Sequence, residues 1–170
     1  MRLSSLGLLS LLWLGCAASP PAPAPSSPAV SADAAALERI AVIHGGAGPW
    51  VVAGYRMGQA ALRTLALPAG SFDLEVAHHA PAKVQYTCIA DGAAAATGAS
   101  LGKLNLALVE EPEPSRVATT YRRRSTGATV TLRPTQAFVA RYRDLPRERL
   151  AEAGREVLAL PEAEVFEEVR

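Results

Sequence analysis

His44-Gly45-Gly46-Ala47-Gly48-Pro49 is the first of two short stretches that decide how this chain is read; the second is Cys88-Ile89-Ala90-Asp91-Gly92, running on to Thr97-Gly98-Ala99-Ser100-Leu101-Gly102-Lys103-Leu104-Asn105. In each, reactive side chains stand among glycines and alanines, where little bulk separates a ligand from the backbone. We read them as two walls of one pocket. Pro49 suits the first position of a helix, because its missing amide hydrogen would be an orphan there. The helix-initial amides it exposes, with His44 at the entrance, favour anions.

Outward from these stretches, the segment 32–43 carries Ala34, Ala35, Ala36, Leu37 and Glu38 and reads as a helix, with a short strand over 40–43 as the rival. A second helix is expected from Pro49 to about residue 67. On it Gly54 and Gly58 share a face that Leu62 and Leu65 continue, so a close backbone approach to a neighbour is expected to offset the helix stability lost at two glycines. The alternation over 72–77 predicts a strand leading into His78-His79. A further strand is expected over 82–87, then a short helix over 91–96 closed by Gly98, with Asp91 available as its cap. A strand over 104–109, a loop over 110–114, and a hairpin of 116–121 with 128–132 around Ser125-Thr126-Gly127 follow. Proline-opened helices are expected over 134–143 and 146–159. Strands and helices mixed without regular alternation predict one compact α+β domain, a mixed or antiparallel sheet packed with helices.

The remaining sequence concerns address. The chain has 170 residues, a length for one domain plus a non-globular end. Arg2 precedes an apolar run from Leu3 to Gly15, too short to span a bilayer but sized for an export signal, and Cys16 follows Leu14-Gly15 as in a bacterial lipobox, with Trp13 where an aliphatic residue is usual. We expect residues 1–16 to be a signal peptide ending at a lipidated Cys16, with cleavage to a soluble exported protein as the alternative, residues 17–31 an Ala/Pro/Ser-rich tether, and residues 32–170 the folded domain, exported and held at the cell envelope on the periplasmic side. Lipidation would make the membrane a partner through the N-terminal anchor.

Seventeen basic and sixteen acidic residues give a net charge of +1, which falls to zero if Arg2 leaves with the signal. No nucleic-acid footprint is present. The run Arg122-Arg123-Arg124 reads as a solvated hairpin end rather than a phosphate-binding patch. Of the two cysteines, acylation of Cys16 would leave Cys88 without a partner in the chain, as a buried thiol, a ligand or a nucleophile. A place just before a short helix, with Lys103 near, would lower its pKa. Gly-Ala-Ser-Leu-Gly-Lys ending at Lys103 is one residue short of a P-loop, and no zinc-protease, serine-hydrolase or Cys-x-x-Cys motif occurs.

Both stretches resemble the FmdE family, named for formylmethanofuran dehydrogenase, whose first motif usually reads His-Gly-His-x-Cys-Pro-Gly and whose second reads Cys-x-x-Asp-Gly, then Thr-Gly-x-Thr-x-Gly-Lys-x-Asn. His44, Gly45, Pro49, Gly54, Arg56 and Met57 fit the first region; Cys88, Asp91, Gly92, Thr97, Gly98, Gly102, Lys103 and Asn105 fit the second. The resemblance implies an FmdE-like core over most of 38–170. It departs at Gly46, where a second histidine is usual, at Gly48 in place of the cysteine, at Trp50 in place of glycine, at Ala94 for glutamine and at Ala99 for a further cysteine. If that imidazole and thiolate bind metal in relatives, this loop has lost both. The oxidation of formylmethanofuran needs a molybdenum or tungsten centre held by other, cytoplasmic chains, which an exported domain could not join.

The ligand set open to this chain is therefore His44, Gly45, Gly46, Gly48, Cys88, Asp91, Lys103 and Asn105. For a divalent transition metal such as zinc it is His44, Cys88, Asp91 and one of the two neighbouring histidines, with His79 preferred. The expected role is capture of a metal ion or small anion. The alternatives are an enzyme using Cys88 or His44 for nucleophilic or acid-base work, and a degenerate scaffold for a protein partner. The two stretches can meet within one chain or across two copies, which leaves a homodimer open.

Overall fold

The computed structural model describes residues 31–169; the expected signal segment, Cys16 and nearly all of the tether lie outside them. The domain is α+β, with a five-stranded mixed sheet in the order β2-β1-β3-β4-β5. Helix α1 (Ala32–His44) is capped by the Ser31 hydroxyl, which accepts from the Ala34 amide, and the strand alternative over 40–43 is excluded. Helix α2 (Pro49–Thr64) begins at Pro49 as expected and ends three residues before 67. Strand β1 (Leu74–Ala80) then leads through a tight turn, Lys83 N–H donating to the Pro81 carbonyl, into α3 (Val84–Thr97). Strand β2 (Leu106–Glu110) pairs parallel to β1, so β1, α3 and β2 form one crossover unit. The hairpin β3 (Ala118–Arg123) and β4 (Thr129–Pro134) continues the sheet antiparallel, and β5 (Phe166–Glu168) closes it.

Several boundaries differ from expectation, β1 and β2 each starting two residues late and others by more. Residues 84–87 are the first turn of α3, not a strand, so the helix expected over 91–96 runs for 14 residues. A six-residue apolar and polar mixture fits either period, and the tight turn at Pro81 is what starts the helix early. Pro134 ends β4, and Thr135 caps α4 (Gln136–Tyr142) by accepting from the Phe138 amide at 3.1 Å. Residues Arg147–Arg149 form a 3-10 turn before α5 (Leu150–Ala159), and the closing segment contributes the short α6 (Glu162–Val165) ahead of β5.

The contact between α2 and α3 is the most extensive in the molecule. A Cβ on Gly54 would run into the Ile89 carbonyl, one on Gly92 would stand 2.6 Å from the Tyr55 nitrogen, and one on Gly58 2.7 Å from Ala96 Cβ. The two helices thus touch backbone to backbone and run in the same sense. Their shared face and the buried face of the sheet (Leu74, Val76, Tyr121, Val130, Leu132) make the core. Arg56 ties α5 to this pair by donating to the Val157 and Leu160 carbonyls at 2.7 and 2.6 Å, satisfying groups that a helix C-terminus leaves open.

His78 is fully buried between sheet and helices. Its Nε2 lies 3.1 Å from the Tyr86 carbonyl and must donate, so Nδ1, 2.9 Å from Thr119 Oγ1, accepts from that hydroxyl. Burial pushes its pKa down to about 4. The unfolded chain, titrating near 6.5, therefore binds more protons between pH 6.5 and 4, and stability falls as the pH drops through that window.

Two outcomes are expected. Gly92→Ala should cost about 3 kcal/mol in chemical denaturation or prevent folding, while Gly102→Ala, with open space around its Cβ, should cost far less. Parity of the two would contradict the backbone contact. The parent should lose about 2 kcal/mol more than His78→Gln between pH 7 and 5; equal pH dependence would remove His78 as the cause.

Candidate functional site

The loop between α1 and α2 is built by its glycines and by what packs on it. Gly45 ends α1 at φ +83°, its amide donating to the Ala41 carbonyl, a conformation that a side chain would strain. Gly154 of α5 lies so close to the Ala47 carbonyl that a Cβ there could not be accommodated. Gly48 is the N-cap of α2 and offers no side-chain cap, so the first amides of that helix are left without a side-chain acceptor.

Across from the loop, α3 presents Cys88 and Asp91 one turn apart. The Asp91 carboxylate Oδ2 stands 2.8 Å from His44 Nδ1. A carboxylate only accepts, so Nδ1 carries a proton; Nε2 accepts when the ring is neutral and donates when it is protonated. Among the described hydrogen bonds Nε2 has no partner. His44 is also the last residue of α1, where the helix dipole favours a positive charge. The pair can orient a ring for proton transfer or for holding an acidic ligand.

Around His44 opens a cavity of about 700 Å³, within the range of small-molecule sites. The glycine loop 45–48, Val51, Cys88, Trp50, Leu145 and Leu150 form its walls, and Asp144 and Arg147 bring charge to it. Trp50 is fixed by donating Nε1–H to the Tyr142 carbonyl at 3.0 Å and by edge contacts with Tyr86 and Phe138 at 5.3 and 5.1 Å. Two buried polar atoms without partners among the described residues, Gln85 Nε2 and the Tyr142 hydroxyl, belong to residues that line the cavity.

The expected residues separate into two groups. His44, Gly45, Gly46, Gly48 and Cys88 line the cavity, and Asp91 reaches it through His44. Lys103 does not: its Nζ donates to the Gly98 and Gly70 carbonyls at 2.8 and 3.2 Å, beyond the C-terminus of α3. Asn105 is buried, joining the Ser100 amide to the Leu74 carbonyl where β1 and β2 start. His79 pairs across the sheet with Val109 and Ala118, on the face opposite the one that buries His78, so neither histidine joins the site.

Cys88 and Asp91 also differ from expectation. Both lie inside α3, so Asp91 is not a cap and Cys88 sits neither at the N-terminus of its own helix nor beside Lys103. Burial, aided by the Asp91 charge, pushes the thiol up to about 11. Among the described residues no three of His, Cys, Asp and Glu are gathered to hold a metal ion. Of the expected ligands only His44 and Cys88 line the cavity, with Asp91 held at the far ring nitrogen, fewer than the three protein ligands a zinc site takes.

Trp50, Gln85, Tyr142, Asp144 and Arg147 join the site without any motif that marks them. Asp144, at φ +56° before Leu145-Pro146, carries the one available turn signal, since aspartate tolerates that backbone better than most residues.

No curated protein matches the chain. The sequence model of the family described as "FmdE, Molybdenum formylmethanofuran dehydrogenase operon" matches residues 43–167, a span that holds His44, the glycine loop, Cys88, Asp91 and the whole of the cavity wall. The chain belongs to the FmdE family.

Proposed function

We propose that the cavity holds a small organic anion and that the domain is a binding module of the cell envelope. The observation that carries this reading is the meeting, in one cavity, of the Asp91-oriented His44 ring with the uncapped N-terminus of α2. Backbone amides and an imidazole suit a carboxylate or phosphate, and Arg147 adds a cation at the wall. The apolar remainder of the wall suits a carbon body. A metal reading has less support, because the donor set is incomplete. Export and anchoring through Cys16 rest on the sequence of residues 1–31 alone.

The His44–Asp91 bond also favours a second reading, an enzyme in which Nε2 takes or gives a proton. Burial and the Asp91 charge disfavour the Cys88 thiolate in it.

Thermal melts of the chain against a panel of small carboxylates and phosphates test the first reading. At about a hundredfold excess over Kd a true ligand adds about 2.7 kcal/mol, a rise of about 9 °C in Tm, which should shrink in His44→Gln and in Arg147→Ala. A flat panel, or variants that respond like the parent, would sink it. Alkylation of Cys88, followed on its own peptide by mass spectrometry, should be slow at pH 7 and climb about tenfold per pH unit without levelling by pH 9. A plateau near neutrality would restore an activated thiol.

A further inference from the structure

Beyond the C-terminus of α3, at the end of the sheet away from the cavity, three large apolar side chains stand in solvent: Phe72 is 68% exposed, Leu101 72% and Leu104 84%. They belong together. The Arg124 guanidinium donates to the Leu104 carbonyl at 2.9 Å and reaches the Phe72 carbonyl at 3.4 Å, Leu104 N–H donates to the Leu101 carbonyl, and Lys103 Nζ lies 4.9 Å from the centre of the Phe72 ring. The loops before β1 and β2 and the β3–β4 turn are thereby tied into one tip.

Leu104 is the informative member. It sits at φ +53°, a left-handed conformation that glycine and asparagine adopt cheaply and leucine does not. Neither packing nor backbone preference accounts for an exposed leucine there, so the residue answers to something outside the fold. The surrounding charge indicates what. Glu75 pairs with Arg122, and Asp73 accepts from Arg123 and from Ser125, so those charges are compensated. Lys103 and Arg124 have no carboxylate partner among the described residues and flank the apolar tips.

We propose that this tip docks on an anionic phospholipid surface, the three apolar side chains entering the headgroup region and Lys103 and Arg124 meeting lipid phosphates. Separate protruding loops with cations at their base suit an interface that yields, whereas a groove in a folded partner would need a continuous ridge. The 14-residue α3, about 20 Å long, lies between the tip and the N-terminal turns beside the cavity, so docking leaves the cavity open to solution.

Amide hydrogen exchange of the full chain, read peptide by peptide, tests this whatever residues 1–31 do on their own. With vesicles of phosphatidylcholine and phosphatidylglycerol, peptides over 70–74 and 100–105 should exchange several-fold more slowly than with phosphatidylcholine alone, and about 1 M salt should reverse the effect. Phe72→Ser with Leu104→Asn should abolish the protection while leaving the melting temperature unchanged or raised, since asparagine suits that backbone. Equal protection on neutral vesicles, none on either, or retention in the double variant would overturn the proposal. Protection that grows with protein concentration in the absence of lipid would overturn it too, assigning the tip to a second copy of the chain.

Discussion

The structure depends on α2 and α3 lying backbone against backbone. Gly54 and Gly58 on one helix and Gly92 on the other remove the side chains that would hold the axes apart, and a Cβ at any of them would meet main-chain or Cβ atoms of the neighbour. Each glycine weakens its own helix by about 1 kcal/mol relative to alanine. The dispersion and apolar burial gained by an extended, close contact offset that cost, and the core spreads from it across one face of the sheet.

The same contact makes the site. Because α2 and α3 run in the same sense, the start of α2 is held beside the first half of α3, and the uncapped Gly48–Pro49 end faces the turn that carries Cys88 and Asp91. His44 arrives at the end of α1, and Gly45 turns the chain away so that the ring can meet Asp91. Gly154 repeats the device from the other side, letting α5 press on the Ala47 carbonyl and bring Leu150 and the preceding Arg147 to the cavity. What this loop offers is shape, backbone amides and one oriented histidine.

Much of this is legible in the residues. The glycine spacing on α2 announces a close approach, Pro49 marks a helix start, and the alternation over 72–77 points to β1 and its two histidines on opposite faces. The start of α3 is not legible, because residues 82–87 satisfy both periods and the Pro81 turn decides between them. That single shift moves Cys88 from a helix entrance, where a thiolate is stabilised, to a half-buried helix interior beside a carboxylate, where it is suppressed. Lys103 and Asn105 look like ligands because they follow glycines, yet they satisfy carbonyls at the ends of α3 and β1. Trp50, Tyr142 and Arg147 reach the cavity only through tertiary packing, which local sequence does not encode.

If the His44 ring and the first amides of α2 act together on one anion, both must respond to it at the same concentration. The most direct measurement is nitrogen NMR of the labelled chain during titration with inorganic phosphate and small carboxylates, following the His44 ring nitrogens and the amides of Trp50 and Val51. Saturable shifts at these groups with one common midpoint, lost in Asp91→Asn, are the expected result. Shifts that never saturate, that scatter over the surface, or that leave the His44 ring untouched would contradict a shared anion site.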